Sequence, residues 1–492
     1  MSRRPFLWSF VALLAGALLV SPLAFGQSKA DKAAVIKGVD SRGDEAWKQA
    51  SQIWEWAEPG YQEVKSSKLL ADWLESAGFR IKMGVAGIPT AFTAEFGEGK
   101  PVIAILGEYD ALPGLAQESV PERRPRAGNG YGHGCGHHLF GVASAVAAMA
   151  AADQIKSGIL KGTIRFYGCP AEEGGGAKAF MARDGLFKDV DAALHWHPGT
   201  SNSAGDRGTL ARIAAKFRFH GKSAHAGGAP EQGRSALDAV ELMAHAAELM
   251  REHTPEETRI HHVITHGGGA PNVVPDFAEA YYYVRHPKSL TVKQLYARVL
   301  KCAEGAALAT ETRLEVVNEG GIVEILPNGP LSQAVLKNLK DLNKLEYTAK
   351  DHEFAARLAE TLEKPESVER IRSVSDRSGE TGRGSTDVGD VSWVVPTSGL
   401  GTACFVPGTP SHSWQAVACG QQTLAKSGML LAAQVLAAST FDLLSNPELL
   451  AAAKADFARR TDKQKYIPLI APDQKPPLEY RNPSKGGMAV LE

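Results

Sequence analysis

The run PVIAILGEYD, residues 101–110, restricts the fold more than any other segment. It is continuously apolar up to Gly107, and a strand apolar at every position must be covered on both faces. The neighbouring segments supply the cover. DEAWKQASQIWEWAEPG and EVKSSKLLADWLESAGF carry apolar residues at helical spacing, the second ending at a glycine cap. TAFTAEFG alternates, GVASAVAAMAAADQI reads as a further helix, and KGTIRFYGCP as another strand. Helix and strand taken in turn predict an α/β sheet flanked by helices. In such sheets ligands collect beyond the carboxyl ends of strands. The polar clusters GEYDALPG, GHGCGHH, PAEEGGG and ALHWHPG are each expected just after a strand.

A chain of 492 residues is too long for a single core. The pattern changes near residue 211, where ARIAAKFRFHGKSAHA, RIHHVITHGG and FAEAYYYVRHP read as strands among two amphipathic helices. This predicts an α+β insertion over 211–325, splitting a catalytic domain into residues 32–210 and 326–492. Residues 350–385, charged and interrupted by Gly and Ser, read as a surface excursion. The proline-rich tail from Ile467 reads as an extended surface segment. Residues 1–26 have the basic, apolar, small-residue order of a cleavable export signal, too short in its apolar run for a membrane span. The expected location is periplasmic, and SRRPFL resembles a twin-arginine signal. A net charge of −1 gives no reason to expect nucleic acid or an anionic membrane as partner. Five widely spread cysteines argue against a disulfide framework, with Cys135 the candidate free thiol.

The stretch NGYGHGCGHHLFG places His133, Cys135, His137 and His138 in a glycine-rich turn. Glu172 and Glu173 share another turn, and His195 and His197 alternate so that both face one pocket. His412 stands far along the chain in GTPSHSWQ. Singly, each cluster is weak: a surface histidine is usually structural, and a Glu-Glu pair is usually a solvated face. Together they match a site for two divalent ions, which takes about five or six ligands, one of them bridging. A mixed carboxylate, thiolate and imidazole set suits Zn²⁺ or Mn²⁺. A thiol hydrolase with Cys135 as nucleophile is the competing chemistry; it leaves Glu172, Glu173 and His412 without a role. A relative that keeps the fold and has lost catalysis is a third reading.

GHGCGHHLFG, RFYGCPAEEGGGAKAFM, DVDAALHWHPG, GRSALDAV, PNVV, STDVGDVSW and GTPSHSWQ together resemble the aminobenzoyl-glutamate utilization protein B branch of the carboxypeptidase G/aminoacylase metallohydrolases. The motifs occur in the family's order over about residues 40 to 440. The resemblance implies an α/β catalytic domain holding two divalent ions, Mn²⁺ or Zn²⁺, and an inserted α+β lid that dimerises. The implied partner is a small N-acyl amino acid such as p-aminobenzoyl-glutamate, whose amide bond is hydrolysed; a dipeptidase or carboxypeptidase activity on the same site is the alternative. A homodimer through the lid is implied, or pairing with a related second subunit. The family pattern puts metal ligands at Cys135, His137, Glu173, His197 and His412, with Cys135 in the bridging place. A neighbouring branch instead places a ligand at His195. Glu172 falls on the general base. The resemblance further implies that His225, from the lid, reaches the active site of the partner subunit and supports the tetrahedral intermediate, while Asn272 and Arg285 grip the substrate carboxylate. Glu108 stands where distant relatives carry a ligand histidine and is not assigned as a ligand. Asp110 is expected to orient a ligand, and His138 to hydrogen-bond behind the ligands.

Overall fold

The computed structural model describes residues 24–481; the expected export signal lies outside them but for its last three residues. An eight-stranded sheet runs from edge to edge as Arg80–Met83, Phe92–Glu98, Gly162–Gly168, Val102–Gly107, Ala192–Gly199, Thr397–Ala403, Asn202–Ala204 and Val374–Asp376. Val102–Gly107 is buried at all six positions and pairs in parallel with Gly162–Gly168 on one side and Ala192–Gly199 on the other. This is the covered central strand that its composition demands. Thr397–Ala403 pairs in parallel with Ala192–Gly199, so the last third of the chain returns to complete the first sheet.

Helices His137–Lys156 and Thr423–Ser445 are long and apolar enough to cross a membrane, but they lie in the core, with 89% and 72% of their most apolar windows buried. Gly141 lets the first of them approach the central strand: a Cβ there would lie 2.7 Å from the Glu108 carbonyl oxygen. That close approach sets the start of the helix, with His137, beside Glu108 and Asp110.

A second, antiparallel sheet has the order Arg259–His266, Phe277–His286, Ala211–His220, Arg313–Ile322. Alternation sorts its faces. Ile213, Ala215, Phe217, Tyr282 and Val284 are buried with residues of helices Ala236–Arg251 and Ser289–Thr310, while Arg212, Lys216, Tyr281, Tyr283 and Arg285 share the other face. The edge strand Arg259–His266 leaves Val263 and Ile264 exposed.

Two expectations are corrected. Residues 350–385 are not simply a surface excursion: Ala349–Ala359 is a helix burying Phe354, Ala355 and Leu358, and Val374–Asp376 extends the main sheet. Its apolar side chains, spaced three to four residues apart among charges, are masked by the overall composition. The tail from Ile467 is not purely superficial either. Leu469 and Ile470 are buried, and Gly321 is bare because a Cβ there would lie 2.5 Å from that of Leu469.

Candidate active site

Two of the four polar clusters, GEYDALPG and PAEEGGG, follow strands of the main sheet, while ALHWHPG lies within the strand Ala192–Gly199 itself rather than after one. GHGCGHH follows the two-residue strand Tyr131–Gly132, outside that sheet, and leads into helix His137–Lys156. Gly136 supplies the turn at φ 78°. The His137 ring then meets Asp110, Nδ1 to Oδ1 at 2.8 Å, while Asp110 Oδ2 accepts the Glu173 backbone N–H at 2.9 Å. One carboxylate thus ties the two loops together and fixes the imidazole with Nε2 turned to the cleft. Cys135 Sγ lies 3.3 Å from His197 Nε2, and Glu173 Oε1 lies 3.1 Å from His412 Nε2. His412 arrives from the distant half of the chain through its N–H, donated to the Gly134 carbonyl at 3.1 Å. It sits at φ 56°, and Ala171, just before the glutamate pair, at φ 54°. Both are left-handed conformations that non-glycine residues seldom adopt, and such strain concentrates at functional sites.

Donor atoms of Cys135, His137 and His197 lie within 4.8 Å of one another, as do those of Cys135, Glu173 and His412. Cys135 belongs to both of these groups, which is the place a bridging ligand must occupy; a third group, Glu108, His137 and Glu172, brings the glutamate next to Glu173 within the same distance of His137. His137 Nε2 and Glu173 Oε1 are buried and make no hydrogen bond of good geometry. Burial of that kind is costly unless something else satisfies these atoms, and the donor set suits divalent cations.

Electrostatics points the same way. Burial foremost, then the Glu173 charge, pushes the Cys135 thiol well above its ordinary range, while burial pushes the His197 imidazole down to about 4. Cys135 and His197 therefore do not settle as thiolate and imidazolium, as a thiol nucleophile paired with His197 requires. Burial would raise Glu173, but the adjacent His412 and His137 outweigh this and hold the carboxyl below its usual value. Glu172 is raised well above the carboxylate range, by burial first and then by the charges of Glu108 and Glu173. Adjacent glutamates are thereby split into an acceptor-only carboxylate and one able to hold a proton.

Both His195 and His197 border a cavity of about 240 Å³, with Glu108, Phe140, Arg207 and Leu400 also in its wall. His195 lies flat against Gly399, away from Cys135, and burial pushes it down to about 3. His133 and His138 are buried and spent on backbone carbonyls, those of Ile53 at 3.2 Å and Gly420 at 2.9 Å. In the lid, His225 Nδ1 accepts the N–H groups of Gly227 and Gly228 at 3.1 and 3.0 Å, which leaves the ring proton of the neutral imidazole on Nε2. Asn272 is its neighbour, its carbonyl accepting the Ala226 N–H at 3.0 Å. Arg285 and its register partner Arg212 both lie over the Tyr283 ring, at 5.3 and 4.7 Å, and neither Nε has a hydrogen-bond partner. Among the described residues, no hydrogen bond or ion pair within the chain joins His225, Asn272 or Arg285 to the cluster.

Sequence reasoning missed Lys178 and Asp387. Lys178 Nζ bridges Glu108 at 2.7 Å and Asp387 at 2.6 Å, and all three side chains are essentially inaccessible to solvent. The signal was a lone lysine in the apolar stretch AKAFM. Lys178→Met would strand two buried carboxylates, so we expect a loss of about 3–5 kcal/mol in stability, read by denaturant unfolding against the wild type. A shift below about 1 kcal/mol would contradict it.

An α/β sheet whose loops converge a thiol, imidazoles and paired carboxylates, with an inserted α+β lid, defines a metal-dependent hydrolase of amide bonds. Residues 208–311 match the peptidase dimerisation domain of the M20 family. The chain is 42% identical over 445 residues to a subunit of the p-aminobenzoyl-glutamate hydrolase of Escherichia coli K12, covering 85% of this chain and 92% of that one. It belongs to the M20 metallo-amidohydrolases, in the branch of that subunit. It is also 28% identical to the Xaa-Arg dipeptidase of Mus musculus, over 92% of this chain and 99% of the relative. A dinuclear metal binding peptidase of the M20 family from Bacillus subtilis shares the fold, with a TM-score of 0.55 at 19% identity over 82% of this chain and 99% of that one.

Proposed function

We propose that the protein hydrolyses the amide bond of an N-acyl amino acid of the p-aminobenzoyl-glutamate kind. The observation that carries this is the placement of Glu172, a buried carboxylate whose raised proton affinity suits it to take up and return a proton, beside two ligand groups that share Cys135. Cys135, His137 and His197 would hold one Mn²⁺ or Zn²⁺ ion, and Cys135, Glu173 and His412 the other. Such cations acidify a water molecule and polarise an amide carbonyl. Glu172 takes the proton from the attacking water and delivers it to the leaving amine. Asp110 keeps the His137 ring in register, and the lid supplies Asn272 and Arg285 for the carboxylate and His225 for the developing oxyanion. The Arg212–Arg285 pair, two guanidiniums on one tyrosine ring, favours a dianionic amino acid such as glutamate over a neutral one.

The test is a hydrolysis screen of the Mn²⁺- and Zn²⁺-loaded protein on p-aminobenzoyl-glutamate, benzoyl-glycine and dipeptides ending in arginine. The aryl-glutamate amide is expected to be turned over with the highest kcat/KM. Preference for the arginine dipeptides would favour the dipeptidase reading instead.

The active assembly is a homodimer built through the lid, or a pair with a related subunit, as the name of the Escherichia coli relative suggests. Support comes from the unpaired edge strand with Val263 and Ile264 exposed, since such an edge is a template for a second strand. Ile264→Lys should convert the assembly to monomers, measured by sedimentation, and lower turnover with it. An unchanged assembly would place the interface elsewhere. The location we propose is the periplasm, supported by the composition of residues 1–26.

A further inference from the structure

Glu172 and Glu173 sit on a glycine-rich turn with few side chains of its own to anchor it. They are followed by Gly174, Gly175 and Gly176, with Gly174 at φ 121° and Gly176 at φ 65°. The turn is closed by the Gly174 N–H on the Glu172 carbonyl at 2.7 Å and the Gly176 N–H on the Ala171 carbonyl at 2.8 Å. Its three glycines offer no side chain to anchor Glu173, so further anchors come from outside the loop. The Glu173 N–H is held by Asp110. Its carbonyl is held by the far end of the chain: Arg481 Nη2 donates to the Glu173 oxygen at 2.7 Å, and Tyr480 Oη reaches the same oxygen at 3.4 Å.

The segment that delivers these donors is anchored along its length. Tyr466 donates to Asp390 at 2.8 Å, and Leu469 packs on Gly321 at the end of the last lid strand. Arg183 holds the carbonyls of Ala471 and Gln474, and Gln474 donates to the Asn318 carbonyl of that same strand at 3.1 Å. Tyr480 is half-buried edge-on against Tyr61, ring centres 5.7 Å apart, and Tyr61 in turn donates to the Gly175 carbonyl at 2.8 Å. Gly60 is bare because a Cβ there would collide with the Tyr480 hydroxyl. The Arg481 carbonyl accepts from Tyr131 at 3.4 Å, a residue of the loop that leads to Cys135. The tail therefore touches the end of the last lid strand, the glutamate loop and the cysteine loop in one pass.

We propose that residues 466–481 form a brace that positions the glutamate loop, with Arg481 as its positioning residue, holding the Glu173 peptide so that its carboxylate stays in the ligand cluster. This rests on the reading of Glu173 as a metal ligand. Arg481 acts through the backbone of Glu173 and needs no contact with substrate.

Full-length Arg481→Met and Arg481→Lys are compared with the wild type and with Glu173→Ala, measuring Mn²⁺ binding by calorimetry and kcat and KM on p-aminobenzoyl-glutamate. Arg481→Met keeps an unbranched side chain and loses the donors together with the guanidinium that lies 4.9 Å from the Tyr480 ring centre. The expected result is a tenfold or greater loss of affinity for one of two ions and a kcat loss of similar size, with KM within twofold. Arg481→Lys, which still carries a donor, recovers most of both. Wild-type ion affinity and kcat in Arg481→Met would overturn the brace, and so would a rise in KM alone, which would make Arg481 a substrate contact. If Arg481→Met does not fold, Tyr480→Phe decides: a weaker second ion supports the brace, and unchanged binding overturns it. Glu173→Ala separates the premises, since a chain that still binds both ions without that carboxylate would remove the ligand assignment, and the brace with it.

Discussion

Replacing Glu172 with glutamine is expected to lower kcat by about 10²–10⁴-fold while both ions remain bound. The substitution keeps the volume and one carbonyl oxygen and removes only the capacity to accept and return a proton. Glu172 is the member of the pair that burial and the neighbouring charges of Glu108 and Glu173 drive toward the protonated form. Glu173 is held ionised by His412 and His137 and is better suited to a cation. A change confined to Glu172 should therefore leave ion stoichiometry and KM near their wild-type values, because the ligand groups containing Cys135 do not need it. Steady-state kinetics with ion counting on the same sample checks this. Turnover within tenfold of the wild type would reassign the base, and loss of an ion would make Glu172 a ligand.

The layout of the sheet was legible because burial on both faces leaves a composition that only one environment tolerates, as in Val102–Gly107. The insertion was legible because Ala211–His220 and Phe277–His286 alternate while Val102–Gly107 does not. The site was less so. Strand alternation puts His195 and His197 on one face, and no local pattern tells which reaches Cys135; the answer lies in Gly399, far along the chain, whose missing side chain makes room for the His195 ring. The same holds for the buried Lys178, whose partners Glu108 and Asp387 come from the two separate parts of the catalytic domain. The tail misled for a related reason. Prolines signal an extended chain, and extended it is, but whether such a chain floats or is clamped depends on complementary gaps such as Gly60 and Gly321, which carry no signal of their own.

Cys135 is the ligand whose loss should cost most in ion binding. Its sulfur is common to the His137–His197 and Glu173–His412 groups, whereas His197, Glu173 and His412 each belong to one; His137 is shared only with a further group, Glu108 and Glu172, that lacks the sulfur. Cys135→Ala is therefore expected to reduce bound ions from two per chain toward none, while His412→Ala, at the partly exposed end of the cluster, should leave one. Turnover in Cys135→Ala should fall by more than the roughly 10–100-fold typical of losing a residue that merely supports a ligand. Exhaustive chelation of the wild type should abolish hydrolysis, and Mn²⁺ or Zn²⁺ should restore it. The same experiments separate the thiol chemistry. A nucleophilic Cys135 would survive chelation and would leave an acyl group trapped on the sulfur, detectable by mass. A ligand Cys135 leaves no adduct, and burial pushes its thiol well above its ordinary range. Cysteine to serine sharpens the contrast: a hydroxyl is a far poorer ligand for these ions than a thiolate, so ion affinity should drop even though the side chain stays small and polar. Full hydrolysis by thoroughly demetallated protein would refute the metal reading.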